Sequence, residues 1–172
     1  TALTTPRSWP FWVAFGSGLA ALAFEVVWFR VLVLVFGSTV YSFSAMLSVF
    51  LLGLAIGSAV FGPWSDRARV PVRLLALTQG CLAVTALAGS LAVNHIPLLF
   101  LSTLRDFGIT YEGMTRTKLV LSFLTIFPPA LAFGGTFPVV VRLASATGRG
   151  TGTSIGRVYT WNTAGAIVGA FV

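Results

Sequence analysis

One of the few acidic side chains in this 172-residue sequence, Glu25, stands inside LAFEVVWFRVLVLVFGSTVYSF, an otherwise apolar run from Leu22 to Phe43. A charged carboxylate facing hydrocarbon costs several kcal/mol, so it must face other protein, find a partner or hold its proton. Three uses fit such a group. It can hydrogen-bond within the fold, with Tyr41, Ser44 or Gln79 as partners in a polar pocket. It can line a pocket or ion path, or it can meet another protein. Arg30, five positions later, lies about 140° around a helix from Glu25, so the two do not share a face. Its long stem can instead carry the guanidinium to the headgroups, as an interfacial anchor beside Trp28.

A second feature with chemical potential is FPPALAFGGTFP, Phe127 to Pro138. Pro128, Pro129, Gly134, Gly135 and Pro138 predict a break in a helix at mid-membrane, because proline removes a backbone donor and crowds the preceding turn. Broken helices inside membranes line cavities and mark transporter sites. Near such a break, Glu25 and freed carbonyls would form a site for a small cation. The plainer alternative is a kink that shapes packing.

Catalytic templates are not met. His95 is the sole histidine and Cys81 the sole cysteine, so neither a histidine metal pair nor an intrachain disulfide can form, and no cofactor or metal site is expected. No Ser-His-Asp set can be assembled, since the histidine and the aspartates lie in polar connections. GRGTG, Gly148 to Gly152, follows an apolar helix instead of a strand and lacks the lysine of a phosphate loop. No catalytic residue is assigned, and the segment is not expected to be an enzyme by itself.

The elements that must position these residues follow from hydropathy. The chain is 56% hydrophobic and 9% charged, with mean hydropathy +0.94, against about 25% charged residues in soluble domains. The apolar residues fall in long blocks, which read as membrane spans. The fold class expected is all-α: a polytopic transmembrane bundle forming one domain. Its helices are expected near residues 9–36, 40–61, 74–93 and 119–141, with the start of a fifth at 156–172. A short interfacial helix is expected within Leu98–Lys118, where Phe100, Leu101, Leu104 and Phe107 share a face. The fifth helix lacks a polar anchor after Val172, so the natural chain is expected to continue.

Small residues at GLAIG (Gly53, Gly57) and GAIVG (Gly165, Gly169) predict close helix packing. The net charge of +7 does not mark a nucleic-acid binder, because the cations lie between apolar blocks with no aromatic interleaving. With the N-terminus in the cytoplasm, Arg7, Arg67, Arg69, Arg73, Arg142, Arg149 and Arg157 fall inside. Arg105, Arg116 and Lys118 fall outside, diluted by Asp106 and Glu112. The lipid bilayer is therefore the first partner, and other membrane subunits or further helices of the same protein the next.

SGLAALAFEVVWFRVLVLVFGSTVYSF with FLLGLAIGS, PPALAFGGTFPVVVRL and GRVYTWNTAGAIVGAF resembles the membrane portion of the fused major-facilitator/spermidine-synthase-like bacterial proteins. GPWSDRARVPVR is similar to a degenerate form of the loop between the second and third helices of major-facilitator transporters, where Asp66 and Arg67 would brace helix ends. The resemblance implies a multi-pass protein of the bacterial inner membrane, joined in relatives to a soluble aminopropyltransferase-like domain. Neither that domain's glycine loop nor its catalytic aspartates occur in this sequence. The reading that follows is a non-catalytic scaffold or accessory module in a larger membrane assembly. The alternatives are half of a transporter for a small cation such as a polyamine, or the membrane anchor of an aminopropyltransferase-like enzyme.

Overall fold

A computed structural model of the chain describes residues 8–146 and 151–172. Every regular element in them is helical: α1 (Trp9–Phe36), α2 (Val40–Arg67), α3 (Pro71–Ala92), α4 (Ile96–Phe107), α5 (Tyr111–Ser145) and α6 (Thr151–Gly169), with a single 3-10 turn at Val93–His95. Arg7 and Arg149 lie outside the described residues. Local chemistry sets the starts. Prolines stand in the first turns of α1, α3 and α4, where a missing N–H costs no helical hydrogen bond. Threonines cap the other two long helices: Thr39 accepts from the Ser42 amide at 3.1 Å and Thr110 from the Gly113 amide at 3.1 Å. Gly37 ends α1 at φ 78° and Gly108 ends α4 at φ 84°, backbone that glycine adopts without strain.

Among the described residues, four helical segments are long and apolar enough to cross a membrane: α1, α2, the combined Pro71–Phe107 stretch and α5. The contacts fix their relative directions. Gln79 meets Thr136 of α5, and farther along Ile96 and Leu99 share a hollow with Leu121 and Leu124. The α3–α4 stretch therefore runs antiparallel to α5. Gly53 and Ser65 of α2 lie against Ala130 and Pro138 of α5, so those two run parallel. Phe11 and Trp12 of α1 meet Arg157 and Trp161 of α6, while Leu19 faces Gly165 and Gly169, again in parallel. Helix α5 touches all the others and is the most buried; it is the spine of the bundle.

Several sequence-based boundaries shift. Helix α2 continues through Pro63 to Arg67, and α5 begins at Tyr111 instead of near residue 119. The helix expected within Leu98–Lys118 covers Ile96–Phe107. It continues the direction of α3 and packs on the first turns of α5, burying Ile96 and Leu104. The polar residues of Tyr111–Lys118 extend a helix already capped by Thr110, so polarity there marks the end of an apolar block and not the end of the helix.

The expected break at Pro128, Pro129, Gly134, Gly135 and Pro138 does not occur: helical geometry runs unbroken from Tyr111 to Ser145. The reason lies in packing. Pro129 is buried together with Ala130, Ala132, Phe133, Gly134 and Gly135, so this segment is clasped between neighbours. A Cβ on Gly134 would collide with the Leu54 carbonyl of α2, and one on Gly135 with the Phe61 ring. The glycines bring α2 close, and that contact accompanies the proline-bearing turns without a break in the helix.

Candidate functional site

Glu25 sits half-buried on α1 in a groove between α1 and α2. It shares a hollow of about 270 Å³ with Leu22, Val26, Phe29, Arg30, Phe43, Met46, Leu47, Phe50 and Ile126. Met46, Phe50 and Ile126 are buried and form the floor, while Arg30 and Phe43 are exposed at the mouth. The carboxylate makes no hydrogen bond and no ion pair among the described residues; the one salt bridge among them is Arg116 with Glu112, at 3.7 Å.

The four-residue polar pocket read from sequence is not brought together. Helices α1 and α2 are antiparallel, joined by Gly37–Thr39, and the Phe29–Phe43 ring pair at 5.1 Å sets their level. Glu25, one turn before Phe29, stands beside Leu47, one turn after Phe43, and shares its hollow with Leu47 and Phe50. Tyr41 and Ser44 stand at least about 4 Å nearer the turn at about 1.5 Å per residue. Tyr41 packs edge-on against Tyr111 at 5.6 Å, and Ser44 is exposed. Gln79 lies across α5, donating to Thr136 Oγ1 at 3.0 Å, and that hydroxyl donates to the Ala132 carbonyl at 2.9 Å.

Trp28 is corrected as well. It is 6% exposed and packs in the core with Phe24 at 5.8 Å, where a Cβ on Gly89 of α3 would stand 2.8 Å from its ring. Arg30, two positions on, lies about 200° away around the helix, so the pair cannot share an environment: the cation faces out and the indole faces in. The recurrence of Phe24, Trp28, Leu32 and Phe36 every fourth residue is the sequence signal for that buried stripe.

Two further hollows extend the groove. One of about 340 Å³ shares Leu22 and Phe50 with the first and adds Ser17, Ser58, Tyr159 and Asn162. Another of about 400 Å³ shares Ser58 and Phe137 with the second and includes Asp66 and Arg142. Neighbouring hollows thus share walls between the end that carries Arg30 and the end that carries Asp66.

The small residues act at the helix crossings. On α2, Cβ atoms at Gly53 and Gly57 would collide with Ala130 and with the Leu131 carbonyl. Gly165 and Gly169 of α6 meet the carbonyls of Phe15 and Leu19, and Gly18 of α1 meets that of Asn162. Asp66, Arg67, Arg69 and Arg73 are exposed around the α2–α3 connection, and Arg67 donates to the Pro63 carbonyl at 3.3 Å. Arg142 and Arg157 lie at this same end, whereas Arg105, Arg116 and Lys118 lie at the other.

Sequence reasoning missed one polar node. Lys118 Nζ donates to Ser42 Oγ at 3.0 Å; that hydroxyl lies 2.8 Å from Thr39 Oγ1 and 3.4 Å from the Phe36 carbonyl. A lysine thus closes the C-terminal end of α1, where the helix dipole favours positive charge. Partners 76 positions apart leave no local signal.

For metal chemistry, the described residues hold no group of three or more His, Cys, Asp or Glu side chains. Comparison with protein-family models, with curated proteins and with solved structures finds no match. Among the described residues the fold and the groove define a class: an all-helical bundle with four segments able to cross a membrane and a carboxylate in a lateral groove.

Proposed function

We propose that this chain is a non-catalytic integral membrane module. On this reading it is similar to the helical part of the fused major-facilitator/spermidine-synthase-like proteins. It acts by packing against further helices, of the same protein or of other subunits, in the bacterial inner membrane with its N-terminus in the cytoplasm. The observation that carries this reading is the groove between α1 and α2, where Glu25 shares an otherwise apolar hollow with Arg30 and makes no hydrogen bond or ion pair among the described residues. A carboxylate in such an apolar setting calls for a complementary group. The test is native mass spectrometry of the chain extracted gently from its own membrane. A larger assembly is expected, weakened by Glu25→Gln; an isolated wild-type chain overturns the reading.

A second reading, half of a transporter for a small cation, is favoured by the neighbouring hollows that place Glu25, Ser17, Ser58, Asn162 and Asp66 along the bundle. Glu25-dependent uptake into vesicles containing the protein tests it, and uptake unchanged by Glu25→Gln overturns it.

A further inference from the structure

We propose that the hollow beside Glu25 binds a lipophilic organic cation of single charge, its ammonium on the Glu25 carboxylate and its apolar body among Phe29, Phe43 and Phe50. The inference rests on the reading of the chain as a membrane module and narrows the cation of the second reading. Its basis is the composition of the wall, whose polar side chains are Glu25 and Arg30 alone among ten lining residues. One carboxylate in an otherwise apolar wall falls far short of the six to eight oxygen ligands that a calcium ion takes. It can neutralise one ammonium, and three phenylalanine rings can add attraction through their negative faces while burying a hydrocarbon or aromatic body.

Arg30 sets the charge limit. A ligand with a second ammonium would bring it toward the guanidinium or leave it against phenylalanine, so diamines and polyamines fit worse than a monoamine. An anion at Arg30 would in turn meet Glu25. With Met46, Phe50 and Ile126 buried beneath and Phe43 exposed at the mouth, the ligand enters sideways between α1 and α2. A cation that partitions into the bilayer reaches this opening directly.

The probe is radiolabelled 2-phenylethylamine, measured by equilibrium dialysis against the full chain in lipid nanodiscs. Saturable binding is expected, at least about tenfold weaker in Glu25→Gln, the loss of one charge-assisted contact. Uncharged 2-phenylethanol should compete poorly and spermidine hardly at all. Arg30→Gln should tighten 2-phenylethylamine and allow 1,4-diaminobutane to compete. Phe43→Ala, a truncation at the exposed mouth, should weaken binding, and this variant together with Arg30→Gln decides the matter if Glu25→Gln does not fold. Absence of saturable binding, Glu25→Gln binding equal to wild type, or spermidine competing as well as 2-phenylethylamine overturns the proposal. The two readings fail separately. A chain that stays in a Glu25-dependent assembly yet binds no amine loses only the cation site, while amine binding by a chain extracted alone removes only the assembly.

Discussion

At the scale of single residues, the contacts that hold the bundle are specific enough to be tested in pairs. Trp28 fills the space that Gly89 leaves open, its ring 2.8 Å from where a Cβ would stand. Gly89→Ala therefore forces a large buried ring to move, and a loss of about 1–3 kcal/mol is expected. The smaller ring of Trp28→Phe should recover part of that loss, a coupling that a double-mutant cycle of unfolding in detergent measures. Additive losses would mean the two positions do not meet.

The Lys118–Ser42 contact makes a second pair. Removing the hydroxyl by Ser42→Ala leaves a half-buried ammonium without its acceptor, and a cost of about 1–3 kcal/mol is expected. Ser42→Ala with Lys118→Met removes donor and acceptor together and should cost less than Ser42→Ala alone. The same unfolding measurement checks the order. Neither partner has a functional motif around it, and the contact exists because α2 and α5 run side by side.

At the scale of helices, α5 carries the bundle because its small residues let neighbours approach. Gly57 faces the Leu131 carbonyl so closely that any Cβ must push α2 away, whereas a Cβ on Gly62, little more than a turn later, meets nothing within 4 Å. Both glycines lie inside α2. Gly62→Ala is therefore expected to be neutral or to stabilise by up to about 1 kcal/mol, the difference in helix propensity. Gly57→Ala is expected to destabilise through lost α2–α5 packing. Equal effects at the two sites in thermal unfolding would contradict the crossing. The prolines of α5 illustrate the same principle: propensity argues for a break, and close contact with α2 over Phe127–Gly135 overrides it.

At the scale of the whole molecule, the cations sort to the two ends. Arg67, Arg69, Arg73, Arg142 and Arg157 share an end with the start of α1, and Arg105, Arg116 and Lys118 share the other with Asp106 and Glu112. The positive-inside rule then predicts the first end in the cytoplasm. Impermeant thiol labelling of intact cells checks it. With the exposed Cys81 replaced by alanine, Ile109→Cys should react from outside, and Arg69→Cys only after the membrane is opened. The reverse pattern would invert the orientation. Helices α1 and α2 stand apart beyond their short connection, and the hollow between them is the candidate site.

Which segments are helices was legible in the sequence, because an apolar segment in lipid satisfies its backbone hydrogen bonds within itself and announces this through local hydropathy, first-turn prolines and capping threonines. Boundaries strayed where polar residues continued a helix, at Arg67 and at Tyr111. Which side chains meet was a different matter. Glu25 faces Leu47 and Phe50 instead of Tyr41 and Ser44, Trp28 turns into the core while Arg30 turns out, and PPALAFGGTFP is a packing surface instead of a break. Those outcomes depend on how helices distant in sequence stack and in which direction each runs, and hydropathy, which is equally apolar on nearly every face of such helices, does not encode that choice.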